Sequence, residues 1–155
     1  MSDLVLRAKT LIDGTGANPI RPGEVIIRDG QIIASGKPGT ALISADVEDF
    51  GDATILPGLI DAHVHLQFTA GPDHPTTRTA HINASDSERI ATAIGNAQKG
   101  LATGVTTMRD TGGYLTLNMD VRDAINDGYV VGPRLLVCGA PITTTAGHLH
   151  WCGLR

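Results

Sequence analysis

Residues 55–66 read Ile-Leu-Pro-Gly-Leu-Ile-Asp-Ala-His-Val-His-Leu, an apolar run that ends in two histidines one residue apart. Because successive side chains of a strand point to opposite faces, His63 and His65 share one face of the predicted strand. Pro57 and Gly58 predict a turn just before it, since proline fixes φ and glycine tolerates unusual backbone angles. Two imidazoles on one face at the end of a buried strand can reach one metal ion and form half of a metal site, although most such pairs are ordinary surface or hydrogen-bonded histidines.

Elements of alternating type follow this strand. Ser85 and Glu88 have the spacing of a capping box, and apolar residues then recur at helical intervals up to residue 101. Strand, helix, strand, helix and strand joined by short connections predict a parallel sheet with right-handed crossovers. In a (β/α)8 barrel the reactive groups lie at the carboxyl ends of strands, where the two histidines fall. The later elements are a strand from residue 105 to 109, a helix with Leu117, Val121, Ala124 and Ile125 on one face, and a strand from residue 134 to 139.

The first 55 residues have a different pattern. Apolar and polar side chains alternate over residues 3–14 and 24–36, and Asp29-Gly30 predicts a β-hairpin turn within the second range. A further short strand and turn are predicted over residues 47–52. We therefore expect two domains, an all-β part at residues 1–55 and an α/β part at residues 56–155.

Three stretches resemble the amidohydrolase superfamily. Residues 56–65, LPGLIDAHVH, resemble its first-strand signature, and residues 11–16, LIDGTG, are a common opening of its N-terminal β-sandwich. Residues 104–113, GVTTMRDTGG, resemble the branch with imidazolonepropionase-like enzymes and Xaa-Pro dipeptidases. The resemblance implies an α/β fold in which part of a small β-sandwich precedes the first three βα units of a metal-dependent (β/α)8 TIM barrel. It covers the N-terminal portion of such a protein, so the barrel is expected to be incomplete.

The resemblance also assigns roles to three histidines. It implies that His63 and His65 bind a divalent metal, zinc in our prediction, which is binuclear in the complete enzyme. Residues 145–148, Thr-Ala-Gly-His, match a Thr-Gly-Gly-His segment of the dipeptidase-like relatives except for the alanine. His148 is therefore predicted to bind the substrate and to polarise its carbonyl, although a loop histidine bonded to the backbone is the alternative. A carboxylated lysine, two histidines and an aspartate are implied on later strands.

The predicted function is that of the N-terminal portion of a metal-dependent amidohydrolase. It would hydrolyse amide or peptide-like C–N bonds with a metal-activated hydroxide. A dipeptide with C-terminal proline or an N-acyl amino acid is the predicted small-molecule substrate, and a cyclic amide such as an imidazolone is the alternative. We expect the 155 residues alone to be inactive, the remaining barrel half to come from the same or a separate chain, and the complete protein to be a homo-oligomer. A non-catalytic fragment or subunit that binds a complementary chain is the second hypothesis.

Other polar residues receive weaker assignments. Residues 66–85 are predicted to be a long polar loop in which His74 and His81 are solvated rather than ligands. Asp110 follows a strand and is either a candidate acid or part of a structural turn. Cys138 and Cys152 are expected to be reduced thiols without a chemical role. His150, Trp151 and Cys152 are expected to pack or to lie at the surface.

Composition excludes several classes of partner. A formal charge of −4, 3% aromatic residues and the lack of a Lys/Arg cluster argue against nucleic-acid binding. The sequence contains no apolar run long enough to span a bilayer, and residues 1–9 lack the pattern of a secretory leader. We therefore expect a cytoplasmic protein that contacts no membrane.

Overall fold

The computed structural model describes residues 3–39, 45–71 and 73–153. They form a mixed α/β structure that divides into two compact units, with the boundary between Pro57 and Gly58. The predicted α/β class is thus confirmed at this level. No helix in the described ranges is long and apolar enough to cross a membrane.

The N-terminal unit consists of strands. A four-stranded sheet has the order β4-β3-β1-β5, and β2 and β6 pair in parallel. The predicted hairpin is confirmed, because β3 and β4 are antiparallel and the turn residues Asp29 and Gly30 have φ of 51° and 75°. The strands are β1 (Leu4–Ala8), β2 (Thr10–Leu11), β3 (Gly23–Arg28), β4 (Gln31–Gly36), β5 (Asp46–Asp49) and β6 (Thr54–Ile55).

The second unit alternates strands and helices. Strands β7, β8 and β9 lie side by side in that order and pair in parallel, which confirms the predicted parallel arrangement. The elements are β7 (Leu59–Val64), α1 (His74–Asn83), α2 (Asp86–Ala102), β8 (Val105–Asp110), α3 (Leu117–Asn126), β9 (Arg134–Val137) and a 3-10 helix (His150–Gly153). All three strands therefore direct their carboxyl ends to the same edge of the sheet.

Helices α2 and α3 bury one face of this sheet. The capping box of α2 is confirmed, because Ser85 accepts a hydrogen bond from the Glu88 amide while the Glu88 carboxylate accepts one from the Ser85 amide. Gly100 lies inside α2, where a Cβ would lie 1.9 Å from the Met108 methyl group. The core between helices and sheet contains Leu66, Ala93, Ala97, Met108, Val121 and Leu135.

Residues 74–83 form helix α1, so the prediction of an unbroken loop over residues 66–85 is wrong. Asp73 caps this helix by accepting a hydrogen bond from the Thr76 amide at 2.8 Å. At the other end, the buried guanidinium of Arg89 donates to the carbonyls of His81 and Ile82 at 3.0 and 3.1 Å. The carboxyl end of α1 is thus stabilised by the Arg89 side chain of helix α2, rather than by an apolar face of α1 itself.

Candidate functional site

His63 and His65 lie next to each other at the carboxyl end of β7. Their ring centroids are 5.3 Å apart, with an angle of 79° between the ring planes. His63 is exposed and His65 is partly buried. The two rings therefore lie close together and outside the apolar core.

The end of β8 holds this part of β7. The regular pairing of the two strands is interrupted between Asp61 and Val64, and irregularities of this kind often redirect side chains next to active sites. Four consecutive residues of the chain, which we call the clamp segment (Arg109–Gly112), replace the missing pairing. Arg109 Nε donates to the Ala62 carbonyl at 2.6 Å, Asp110 Oδ2 accepts from the Leu66 amide at 3.1 Å, the Thr111 amide donates to the Val64 carbonyl at 2.9 Å, and the Gly112 carbonyl lies 2.7 Å from His65 Nδ1.

The contact with Gly112 fixes the tautomer of His65. A carbonyl oxygen can only accept, so Nδ1 of His65 carries the proton and donates it. The lone pair is then on Nε2. Hydrogen bonding of one ring nitrogen to a backbone carbonyl is typical of metal-binding histidines, because it orients the ring.

Asp110 is a structural residue of the clamp segment. Its side chain is 1% exposed, and its carboxylate accepts hydrogen bonds from the amides of Leu66 and Gly112 and from Asn118 Nδ2. These three hydrogen bonds compensate a carboxylate that would otherwise be buried without a partner. These contacts support the structural interpretation of Asp110 over that of a catalytic acid.

His148 lies in the same cavity as His65. This cavity has a volume of about 240 Å³, and helix α1 contributes His74, Thr77 and Arg78 to its wall. A second cavity of about 230 Å³ lies between α1 and residues 146–151 and shares His74, Arg78 and His148. His63 lines a different depression, together with Arg109, Leu136 and Cys138. The sequence pattern predicts no binding role for His74 and does not single out Arg78.

The backbone on both sides of His148 is strained. Ala146 has φ of 59° and Leu149 has φ of 58°, a left-handed conformation that costs residues with a Cβ about 1 kcal/mol or more each. Ala146 occupies the position of the first glycine in the Thr-Gly-Gly-His pattern and has a left-handed backbone that glycine would adopt without this strain. Strain of this kind often accompanies functional loops.

His81 is buried, so the prediction that it is solvated is wrong. Its side chain is 6% exposed and packs against Phe68 and Trp151 at centroid distances of 4.2 and 5.1 Å. Burial, with a smaller contribution from the charge of Arg89, lowers the pKa of His81 to about 4, although a hydrogen bond to the Gln67 backbone opposes the shift. Phe68 also contacts His65 at 5.6 Å and therefore links this aromatic cluster to the histidine pair.

His81 should make the protein less stable in acid. Its pKa is about 4 in the folded state against an ordinary value of 6.5, so between these values the unfolded chain binds a proton that the folded chain does not. The free energy of unfolding has its full value above pH 6.5 and falls by up to roughly 3 kcal/mol as the pH is lowered towards 4. Urea unfolding at pH 7.5, 6.0 and 4.5 measures this loss.

The matched pair His81→Leu and His74→Gln identifies the group. His81→Leu should flatten the pH dependence in this range, whereas His74→Gln should keep it, because His74 is the exposed histidine of the same helix. An unchanged pH dependence in His81→Leu would assign the loss of stability to another group.

The two remaining predicted positions of this region pack as expected. Cys152 is fully buried, and burial raises the pKa of its thiol to about 11. Trp151 is partly buried in the aromatic cluster. Both observations support a packing role.

The donor set of the histidine pair fits zinc, since imidazole is one of its preferred ligands. Catalytic zinc takes three protein ligands. Within residues 3–39, 45–71 and 73–153, no group of three or more His, Cys, Asp or Glu side chains is placed to hold a metal ion. The described residues therefore provide two of the donors of such a site.

Known proteins with a similar sequence are hydrolases. Ochratoxinase from Aspergillus niger is 29% identical over 147 residues, which is 93% of this chain and 29% of that protein. Imidazolonepropionase from Mycolicibacterium smegmatis is 27% identical over 139 residues, 79% of this chain and 35% of that protein. The chain thus spans about a third of the length of these relatives.

A similar solved structure is the crystal structure of a Xaa-Pro dipeptidase with methionine bound in its active site. It has a TM-score of 0.80 and 25% sequence identity, and the match covers 99% of this chain and 37% of that one. Residues 54–151 match the profile of the Amidohydrolase family. Since this match includes both the histidine-bearing strand and the loop with His148, and more than half of the sequence, the chain belongs to the amidohydrolase family.

Proposed function

We propose that this chain provides the first strands and part of the active site of a metal-dependent enzyme that hydrolyses amide or peptide-like C–N bonds. The observation that supports this most is the pair of imidazoles at the end of β7, with rings 5.3 Å apart and the Nε2 lone pair of His65 available. Membership of the amidohydrolase family is consistent with this chemistry.

His63 and His65 would hold the metal, for which we propose zinc. When bound, zinc would lower the pKa of a water molecule so that hydroxide is available at neutral pH. The Gly112 carbonyl orients the His65 ring, and Arg109 holds the Ala62 carbonyl directly before His63. Further ligands would come from later strands of a complete barrel, where the family resemblance implies a second metal.

His148 would bind the substrate carbonyl and stabilise the charge that develops on its oxygen. Two observations support this role. His148 lines the cavity that also contains His65, and Ala146 and Leu149 in its loop have the strained left-handed backbone that often accompanies functional loops. A ring N–H of His148 would donate to the oxyanion.

The proposed substrate is a dipeptide or an N-acyl amino acid. Similar proteins include one named N-acyl-D-aspartate deacylase, from Alcaligenes xylosoxydans, at 37% identity over 68 residues, and the dipeptidase whose structure contains methionine. The names of both proteins point to amino-acid derivatives. A cyclic amide is the alternative, which the similarity to imidazolonepropionase favours.

One face of the β7-β8-β9 sheet exposes apolar side chains that further strands could cover. Ile60 and Leu136 are 71% and 52% exposed, and they share one face because they pair with Thr107 and Arg109, which are two residues apart on β8. An apolar sheet face of this kind normally packs against other elements. We propose that the remaining strands of a barrel cover this face, in the same or a separate chain. The same observation favours the second candidate, a non-catalytic subunit that binds a complementary chain through this face.

Metal-dependent hydrolysis tests the proposed function. Xaa-Pro dipeptides, N-acyl amino acids and an imidazolone should be offered to the protein with zinc, with zinc and a chelator, and with zinc and a polypeptide that contains the later strands of a relative. Hydrolysis that requires zinc would support the proposed enzymatic function. Hydrolysis that also requires the added polypeptide would support a barrel divided between two chains. Tight binding of that polypeptide with neither zinc uptake nor hydrolysis would favour the non-catalytic subunit.

His148→Ala should lower kcat by about 10²–10³-fold with a smaller effect on KM, because the lost donor acts mainly in the transition state. His148→Gln retains an N–H donor and should recover part of kcat. Steady-state kinetics on the best substrate measures both constants. A change in KM alone, or none, would leave His148 as an ordinary loop residue.

A further inference from the structure

Arg78 contributes a positive charge to the space around His148. It lines both cavities beside this histidine, the one of about 240 Å³ that reaches His65 and the one of about 230 Å³ that reaches His150. No described Asp or Glu lines either cavity. The space is therefore suited to a ligand with a negative charge.

The guanidinium of Arg78 is held by an aromatic ring. Its central carbon lies 5.8 Å from the centre of the Trp151 ring, a distance at which a cation is attracted to an indole face. Trp151 in turn packs against Phe68 and His81. Among the described residues, no carboxylate lies within ion-pair distance of Arg78. The group is thus positioned without having its charge neutralised.

The carboxylate that caps helix α1 is already engaged in hydrogen bonds. Asp73 accepts hydrogen bonds from the amide and the hydroxyl of Thr76 at 2.8 and 2.9 Å, and these bonds lower the pKa of its carboxyl group below the ordinary value. It caps the helix and is absent from the wall of both cavities. The positive end of the helix is therefore occupied, and Arg78 is the group that can attract an anion.

We propose that Arg78 binds the carboxylate of the substrate and thereby selects N-acyl amino acids and dipeptides over neutral amides. The inference rests on the proposed function and narrows its substrate class. A guanidinium can bind a carboxylate through two parallel hydrogen bonds, and its contact with Trp151 reduces the freedom lost on binding. His74, one turn before Arg78 on the same side of α1, lies beside this group in the cavity wall.

This assignment separates substrates that carry a carboxylate from neutral amides. A dipeptide or N-acyl amino acid carries a carboxylate within a few bonds of the amide that is cleaved. A neutral cyclic amide carries none and would leave the Arg78 charge without a partner. Desolvation of that charge would then reduce binding of the neutral ligand.

The test compares methionyl-proline with methionyl-proline amide, which have the same scissile bond and differ in the carboxylate. In Arg78→Gln, kcat/KM for the dipeptide should fall about 10- to 100-fold, whereas kcat/KM for the amide should stay within about 3-fold. Arg78→Lys should retain part of the preference. Lys99→Gln, which removes one exposed positive charge from helix α2 outside both cavities, is the matched control and should change neither value.

A binding measurement keeps the inference testable when turnover is absent. Calorimetric titration with N-acetylmethionine and with its amide should show a preference for the carboxylate that Arg78→Gln removes. Equal effects of Arg78→Gln on the charged and the neutral ligand, or no effect on either, would overturn the role of Arg78. Failure of the wild-type protein, supplied with zinc and the polypeptide that contains the later strands, to hydrolyse methionyl-proline and its amide while the binding preference persists would instead reject the proposed function.

Discussion

Replacement of His63 by alanine is expected to abolish zinc-dependent hydrolysis and to remove bound zinc. The change deletes one of the two imidazoles at the end of β7, and a metal with one described ligand left has no site. Loss of an outer-shell partner typically costs about 10- to 100-fold in metal affinity or activity. Direct loss of a donor should cost more. Zinc content by mass spectrometry and kcat/KM on the best substrate measure the effect.

The fold should tolerate this change, because the His63 side chain is exposed and contributes little to the core. Circular dichroism and the urea midpoint of His63→Ala are expected to match those of the unaltered protein. Retained zinc and unchanged turnover would reject the ligand assignment. A protein that loses its fold together with its zinc would point to a structural role of His63.

Asp110→Ala is expected to destabilise the second unit strongly. It leaves the buried amides of Leu66 and Gly112 without their side-chain acceptor, and each unsatisfied group costs about 1–3 kcal/mol. We expect the free energy of unfolding to fall by about 3–4 kcal/mol. Urea denaturation measures this difference.

Asp110→Ala should also weaken zinc binding, because the Gly112 carbonyl that orients His65 belongs to the same turn. Asp123→Ala is the matched control, since Asp123 is exposed in helix α3 and should change neither stability nor zinc content appreciably. Equal stability of the two variants would contradict the structural role of Asp110.

Local sequence patterns predicted much of the secondary structure. The turn at Asp29 and Gly30, the capping box of Ser85 and Glu88, and the stop of α3 near Gly128, which has φ of 77°, each depend on neighbouring residues alone. The parallel order of β7, β8 and β9 followed from the alternation of strands and helices. The predicted domain bounds and the ligand and substrate roles of the three histidines remain predictions.

The sequence did not predict α1, because its apolar pattern is weak and the residues that stabilise it lie on other elements. Of its ten residues only His81 is buried, so the sequence has no apolar face at helical spacing that would indicate a helix. Asp73 three residues before Thr76 and Pro75 in the first turn were the available signals. The burial of His81 and the place of Arg78 depend on Arg89 and Trp151, which lie on other elements.

The clamp segment determines when the histidine pair can take its final form. Its contacts with β7 join residues 47 positions apart, Ala62 with Arg109, Val64 with Thr111 and His65 with Gly112. Conformational entropy is lost when a loop of that length closes, before the contacts can stabilise the fold. During synthesis on the ribosome, β7 therefore emerges long before its partner, and the imidazoles become aligned only after residue 112 has left the exit tunnel.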